Sequence, residues 1–574
     1  MASSVSFRDA VPDAIRENLS VFDDLSAHLL FHRGIETEED ARRFLSPEYE
    51  RELHDPFLMH DMEKVVCRVM DALRKNERIA IYSDYDCDGI PGGVLLHDVF
   101  STLGANFENY IPHRHDEGYG FHAHAVEALH ARGVSLIITV DCGITDTAAA
   151  LRAKALGVDV IITDHHLPQE DVPDVYAILN PKLSHDMYPF KDLCGSGIAW
   201  KFSCALLDRV RADEILSTRA PALGWEKWLL DMAGLATIAD MVPLRGENRT
   251  LAHYGLIVLR KTLRPGLRAL YQAVRLNPRS MTEDDIGFLI GPRINAASRM
   301  GEPMEAFRLL TTRDTEEAKD LAKKLEKINR TRKSSVATIT KEVKHRLSLR
   351  NDIAPVIALG NPEWRPSLLG LVANSLVEEY RRPVFLWGTE GNNTLKGSCR
   401  SDGAINLVDL MVRTEETFIA FGGHAMSGGF SLSREAVFHL EEKLSIAYTA
   451  LQEEDTVSPP TFVDGSMSLG DVSEDTMRKI ERLAPFGEGN PKPSFMFRDV
   501  VVQTVTWFGK GGEHVRFDVS KDGHHTTAIT FFAERELGND ARVIQPSDKV
   551  SFVASFDRDT FARGRVRLRL IRLI

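Results

Sequence analysis

Cysteine is scarce. Six occur in 574 residues, at Cys67, Cys87, Cys142, Cys194, Cys204 and Cys399, with no C-x-x-C pair and none of the close spacing of zinc sites or disulfide frameworks. They are expected to be reduced and mostly buried. No apolar run nears the ~20 residues that a membrane-spanning helix needs, and Met1-Ala2-Ser3-Ser4-Val5 lacks the basic-then-apolar order of a secretory leader. Neither a membrane nor export is expected, and a cytoplasmic address is. Disorder is not the theme either, because 43% hydrophobic and 27% charged residues is the balance of a folded globular chain. The length suggests roughly three or four domains. A surplus of positive charge is missing too: the net charge is -13, which taken alone argues against a nucleic-acid partner. Carboxylates gathered around cations would contribute to that acidity, so local charge matters more than the sum.

The chain is organised around Ile161-Ile162-Thr163-Asp164-His165-His166, an apolar run emptying into an acid and two imidazoles. Neighbours in an extended segment point to opposite sides, so one histidine can ligate a metal while the other faces a substrate; a plain turn bearing two surface histidines is the bland alternative. Similar runs precede it at Ile79-Ala80-Ile81-Tyr82 and Leu136-Ile137-Ile138-Thr139-Val140, and Tyr176-Ala177-Ile178-Leu179 follows. Helical stretches such as 123–131 and 145–156 separate them. Near-continuous apolar strands alternating with helices predict a parallel sheet covered on both faces.

Each of the first three runs ends in acid: Ser83-Asp84-Tyr85-Asp86-Cys87-Asp88-Gly89, then Asp141, then Asp164-His165-His166, with Asp240 closing a later apolar helix pattern. Ligands of open parallel sheets bind at the carboxyl ends of strands, so these groups should converge in one crevice. The first run begins like a calcium loop, but its twelfth position, where a bidentate Glu belongs, is Leu95, and it follows a strand instead of a helix. Like charges at ~4 Å repel by several kcal/mol at an intermediate dielectric, so the cluster implies divalent cations. Oxygen ligands with one imidazole suit Mn²⁺ or Mg²⁺, and several bridging acids suggest a two-metal site for phosphoryl transfer.

A long amphipathic pattern over 315–347 predicts a helix bridging two domains, with Lys323, Lys324, Lys327, Arg330, Lys333, Lys341 and Lys344 forming a basic face toward the groove between them. Beyond Asn351 a second α/β domain begins, with glycine-rich turns expected at Gly397-Ser398-Cys399-Arg400-Ser401 and at Phe421 to Gly429. Ser398, Arg400 and Arg293 are donors of the kind that bind phosphate. Residues 453–460 read as a linker to a strand-rich tail. In the last expected strand, Arg563 to Leu570, the arginines share one face, which fits a small β-barrel with a cationic side.

Five motifs in order, Asp84 to Gly89, Val140-Asp141-Cys142-Gly143-Ile144, Thr163-Asp164-His165-His166, Ala239-Asp240-Met241-Val242-Pro243-Leu244 and Gly291-Pro292-Arg293-Ile294-Asn295-Ala296-Ala297-Ser298-Arg299, resemble those of the DHH phosphoesterases. Phe421-Gly422-Gly423-His424 resembles the glycine-rich motif of the accompanying DHHA1 domain, and Pro485-Phe486-Gly487-Glu488-Gly489-Asn490-Pro491 looks like the entry to an OB-fold. The resemblance covers nearly the whole chain. It implies an N-terminal helical cap (1–75), a parallel-sheet DHH catalytic domain (76–314), a connecting helix (315–350), a smaller α/β DHHA1 domain (351–455) and a C-terminal OB-fold β-barrel with its linker (456–574).

By that resemblance Asp86, Asp88, Asp141, His165 and Asp240 would hold two divalent ions, Mn²⁺ or Mg²⁺, Asp84 would support them, and His166 would face the scissile phosphate. Arg114, Arg293, Asn295, Ser398, Arg400 and His424 would bind substrate. The implied activity is exonucleolytic degradation of single-stranded DNA from the 5′ end to 5′-mononucleotides, in DNA repair and recombination. The barrel would hold the strand, with Trp507, Phe517, Phe531 and Phe532 as stacking candidates. A helicase and a single-strand-binding protein are the expected partners, and a monomer the expected state. Departures from the family pattern are Tyr82, where many members carry a metal-binding histidine, Ser298 and Cys399 where glycine is usual, and Trp364-Arg365-Pro366-Ser367. The alternatives are a DHH phosphoesterase acting on short oligonucleotides or cyclic dinucleotides, and a non-catalytic DNA-binding scaffold.

Overall fold

The computed structural model describes residues 5–390, 394–454, 461–509, 511–537, 540–559 and 564–574. The expected linker lies mostly outside these residues, as does Arg563 of the expected last strand. The described chain forms two compact units, one of Ser46–Ser334 with Pro485–Asn490, the other of Met1–Leu45, Ser335–Ala484 and Pro491–Ile574.

In the first unit five parallel strands lie in the order Phe107–Tyr110, Arg78–Ser83, Val134–Val140, Asp159–Thr163, Ala177–Leu179. The sheet is parallel because helices intervene between strands, and buried on both faces because alternate residues feed two cores. Ile79, Ile81, Leu136, Ile138 and Ile161 pack on one side, against Met62–Lys75, Gly89–Thr102 and Gly195–Ala212; Ala80, Tyr82, Ile137, Val160 and Ile162 pack on the other, against Ala123–Ala131 and Thr147–Leu156. The edge strand Phe107–Tyr110 is absent from the sequence reading. Its four residues are all half-buried, so no apolar run marks it. Leu95, the failed calcium position, is fully buried in the helix Gly89–Thr102.

The core of this unit also encloses an ion pair. Lys201 donates to Glu247 and to His54 O, and Glu247 accepts further bonds from Tyr188 Oη and His54 N, each at 2.7 Å. Both charged residues are almost wholly buried. Removing one partner strands the other charge in a medium that solvates it poorly. Lys201→Met is therefore expected to destabilise the protein by about 3–5 kcal/mol, seen as a lowered urea midpoint.

The expected cap over 1–75 is divided. Met62–Lys75 packs into the core of the first unit, whereas Met1–Leu45 groups with the C-terminal part of the chain. The reason is a strand, Val5–Phe7, that pairs in parallel with Thr461–Val463 and is tied by Arg8 to Asp464. The OB-entry motif behaves in the opposite way. Pro485–Asn490 docks on the loop after Asp240, where Leu244 N donates to Glu488 O and Arg245 Nε to Gly489 O, both at 2.8 Å.

In the second unit a mixed sheet runs Phe418–His424, Ser427–Leu432, Thr394–Arg400, Val384–Glu390, Ile357–Gly360. The two glycine-rich segments expected as turns are strands of this sheet. Glycine is required there by close approach: a Cβ on Gly397 would lie 2.2 Å from the Phe430 ring, and one on Gly423 2.3 Å from Ser427 O. Trp364, one of the departures, is buried with its indole donating to Glu342 at 2.9 Å.

The helix expected over 315–347 spans Thr315–Ser348, but its basic face is partly neutralised. Lys323, Lys324, Arg330 and Lys344 are paired with Asp320, Glu302, Glu326 and Glu379. The tail closes into a five-stranded barrel of Phe495–Phe508, His514–Lys521, His524–Thr530, Arg565–Leu573 and Lys549–Asp559, the last pairing back to the first. Here too the cationic face is reduced, since Arg567 is buried between Asp557 at 2.9 Å and Asp559 at 3.3 Å. Of the stacking candidates Phe517 is barrel core, while Phe532 is half exposed, Arg542 lies over the Trp507 ring and Arg569 over Phe531.

Candidate metal centre

Strand register assembles the site. Ser83 pairs with Val140, Val140 with Thr163 and Thr163 with Leu179, so the residues that follow, Asp84, Asp141, Asp164 and Asn180, stand in a row along the carboxyl edge. The crevice expected from the sequence is therefore present. Asp86 and Asp88 reach it from the turn after the first strand, and Asp240 from the end of the helix Leu230–Ala239.

His165 is the hub: its Nε2 lies 3.2 Å from Asp141 Oδ1 and 3.7 Å from both Asp88 Oδ2 and Asp240 Oδ2. Among the described residues three overlapping groups place ligand atoms close enough to share an ion: Asp84, Asp86 and Asp141; Asp88, His165 and Asp240; and Asp141, His165 and His166. All seven catalytic candidates thus come together. Asp84 Oδ1 and Asp141 Oδ1 are buried and accept no hydrogen bond, which is costly unless a cation meets them. The donor set of carboxylates and one or two imidazoles fits hard divalent ions.

Electrostatics describe the same frustration. Burial, then Asp86, pushes the Asp84 carboxyl well above the ordinary carboxylate range. Burial and the neighbouring Asp88, Asp86 and Asp84 do the same to Asp141. Asp240 is raised to about 9 by burial and by Asp88 and Asp86. Burial also lowers His165, favouring the neutral imidazole that binds metal.

Asp164 plays a different part. Burial opposes its charge, yet hydrogen bonds from His166 and from the backbone N–H of Ile144 hold its carboxyl below the usual range. Its Oδ1 accepts from His166 Nδ1 at 2.8 Å and from the N–H of His165 and of His166. In return His166 is raised, although burial works against it. Asp88 is anchored by Gly195 N and Ser196 N at 2.6 and 2.7 Å, at the start of the helix Gly195–Ala212. Gly195 is obligatory there because a Cβ would come within 2.6 Å of Asp141 Cβ. Asp141 itself has φ +63, a strained conformation of the kind that marks functional sites.

Tyr82 supplies no ligand. It is fully buried on the far face of the sheet, stacked on Tyr110, with its hydroxyl donating to Gly120 O at 2.9 Å. Arg114 lies 4.8 Å over the Tyr85 ring, beside the acidic turn. Arg293, expected on phosphate, is buried and committed: Nε to Glu326 at 2.8 Å and Nη1 to Leu289 O at 2.7 Å. That carbonyl belongs to a π-helical turn, Ile286–Ile290, next to Pro292, where regular helix bonding fails. Arg293 thus ties this irregular turn to the helix that follows it. Asn295 shares this helix, with Oδ1 buried and unpartnered. Ser398, Arg400 and His424 belong to the other unit and share a sheet, where Ser427 is opposite both Arg400 and His424. Arg400 packs against Gly370 and burial lowers its guanidinium below the usual value.

Sequence reasoning missed Tyr119, Asn180 and Ser196. Tyr119 Oη lies 3.1 Å from His166 Nδ1, and nothing in the motif spacing marks it.

Family models match in succession along the chain: the DHH family N-terminal domain over residues 78–224, the DHHA1 domain over 352–452 and the RecJ OB domain over 463–572. The chain is 36% identical over 531 residues to the single-stranded-DNA-specific exonuclease RecJ of Bacillus subtilis, covering 92% of this chain and 65% of that protein's length. It is 32% identical over 444 residues to the exonuclease of the same name from Escherichia coli, covering 76% and 77%. The crystal structure of RecJ in complex with Mn²⁺ from Thermus thermophilus superposes with a TM-score of 0.80 at 28% identity, covering all of this chain and 80% of that one. Among the described residues no helix is long and apolar enough to cross a membrane. Three domains in the expected order, the shared fold and the identity across most of the E. coli protein make the conclusion direct: this chain belongs to the RecJ family of DHH/DHHA1 exonucleases.

Proposed function

We propose that the chain is a divalent-metal-dependent exonuclease that degrades single-stranded DNA from the 5′ end, releasing 5′-mononucleotides. The observation that carries this reading is the convergence of Asp84, Asp86, Asp88, Asp141, His165, His166 and Asp240 on one strand-end crevice, in groups whose ligand atoms lie within 4.8 Å of one another. Two divalent ions, Mn²⁺ or Mg²⁺, would supply the Lewis acidity that sharpens a water nucleophile and offsets charge on the phosphate.

The remaining chemistry belongs to the chain. Asp86, Asp88, Asp141, His165 and Asp240 hold the ions, with Asp84 beside them. Asp164 fixes the His166 ring at 2.8 Å, leaving the other nitrogen of that ring to face the scissile phosphate. Arg114, Ser398, Arg400, His424 and Asn295 serve the substrate, with Arg293 tying the helix that carries Asn295. Trp507, Phe531 and Phe532 on the barrel offer flat surfaces for bases, next to Arg542 and Arg569 for phosphates. The single-strand preference rests on the names of the relatives and on this barrel. A helicase and a single-strand-binding protein as partners, a monomeric state and a cytoplasmic location belong to the same reading.

The test is degradation of one oligonucleotide labelled at its 5′ or 3′ end, with Mn²⁺. Immediate release of labelled mononucleotide from the 5′ label alone is expected. Cleavage of dinucleotides with long strands left whole would favour the small-substrate reading, and failure to bind Mn²⁺ would favour a scaffold. Removing the tail from Pro485 onward is a poor test of the barrel, because Pro485–Asn490 packs beside the Asp240 loop.

A further inference from the structure

We infer that Asn180 is a positioning residue of the metal centre, holding His166 through its backbone; this rests on the reading of the centre as a phosphodiester hydrolase. In the row of strand exits, Asp84 N donates to Val140 O at 3.0 Å, Asp141 N to Thr163 O at 2.9 Å and Asp164 N to Leu179 O at 3.1 Å. Three members of the row are carboxylates; the fourth is a fully buried amide just after the edge strand of the sheet. Burying an amide costs free energy unless its hydrogen bonds are met, and an apolar side chain would fill the same space.

The bonds of Asn180 go to the site. Its Nδ2 donates to His166 O at 2.9 Å, and its Oδ1 accepts from Lys182 N at 2.9 Å. His166 is thereby gripped on both sides of its Cα. Asp164 Oδ1 takes its N–H at 3.1 Å and its ring Nδ1 at 2.8 Å, while Asn180 holds its carbonyl. The peptide cannot swing, and Asp164 fixes the side-chain torsions. The same amide accepts the backbone N–H of Lys182 and so ties the turn after the edge strand to His166. Asn180 therefore connects His166 to the turn beside it without being a ligand.

The experiment is a double-mutant cycle in the full-length chain. Asn180→Asp keeps the shape and the acceptor for Lys182 N but loses the donor to His166 O. Asn180→Leu, close in volume and without polar atoms, controls for the added charge. Each is made in the wild type and in His166→Ala, and read by single-turnover rate on a single-stranded oligonucleotide at saturating Mn²⁺ and by calorimetric titration of Mn²⁺. Both variants are expected to lower the wild-type rate roughly 10- to 100-fold, the scale of a small misplacement at a reacting centre. In His166→Ala the same substitutions should change the rate by no more than about twofold, because the group they act through is gone. An equal loss in both backgrounds, or no loss in either, overturns the proposal. If the wild type leaves single strands intact, the functional reading falls separately, and the cycle is read on the Mn²⁺ dissociation constant, which His166 affects through the ion-sharing group that it forms with Asp141 and His165: weakening that vanishes in His166→Ala upholds the role of Asn180, and an equal or absent effect overturns it.

Discussion

Asp141→Asn should abolish hydrolysis and at the same time make the metal-free protein harder to unfold. The substitution preserves shape, so strand pairing at Asp141 N to Thr163 O survives. What it removes is a buried charge that belongs to two of the three metal-holding groups, one with Asp84 and Asp86 and one with His165 and His166, and that lies beside the third through His165. With a ligand shared between positions lost, both ions are weakened. The rate with Mn²⁺ should fall at least about 10³-fold, which corresponds to roughly 4 kcal/mol of transition-state stabilisation. In the metal-free protein the same charge is a liability, because burial and the neighbouring Asp88, Asp86 and Asp84 all oppose it. Neutralising it should raise the melting temperature of the metal-free chain by several degrees, the equivalent of about 1–3 kcal/mol. A residue that merely supported the fold would lower stability and activity together. Opposite signs in thermal melts with chelator and in single-turnover rates with Mn²⁺ identify a site built around cations.

The metal centre is largely legible in the chain because parallel strands buried on both faces are written as unbroken apolar runs, and acids at the end of such runs have no packing reason to be there. Asp84, Asp141 and Asp164 follow Ser83, Val140 and Thr163 at equal depth, so recognising the strands is enough to group the acids. Other features depend on contacts between distant segments, which leave no periodic trace. Asn180 is one polar residue after a three-residue strand. The division of residues 1–75 turns on a three-residue strand paired more than 450 positions away. Arg293 carries a local role that its motif does not announce, since Pro292 and the π-helical turn create a backbone carbonyl that it answers. Gly397, Gly423 and Gly428 do mark close approach, but the density of glycine over 397–429 reads as turns, since strands seldom tolerate so many. Here the neighbouring strand and the Phe430 ring occupy the room of a side chain.

Stability should depend on pH in opposite ways with and without metal. In the metal-free chain Asp84, Asp141 and Asp240 all have folded-state values above those of the unfolded chain. The folded state therefore binds protons more tightly than the unfolded one, and stability falls as pH rises. For Asp240 the window runs from the unfolded value near 3.8 to about 9, and the loss across it is at most about 7 kcal/mol at roughly 1.4 kcal/mol per unit. Asp164 contributes with the opposite sign, since its lowered carboxyl favours folding above its unfolded value; that gain is complete by about pH 5 and leaves the higher range to the three acids. Divalent ions bind the ionised carboxylates in competition with protons, so metal binding strengthens as pH rises. The gain in melting temperature on adding Mn²⁺ should accordingly be small at about pH 5.5 and grow steadily to about pH 8.5. In Asp240→Asn that growth should be visibly flatter, because one of the proton-binding groups has been removed. A gain independent of pH would mean that the acids are already ionised without metal, and that the cluster is held by some charge other than the cations inferred here.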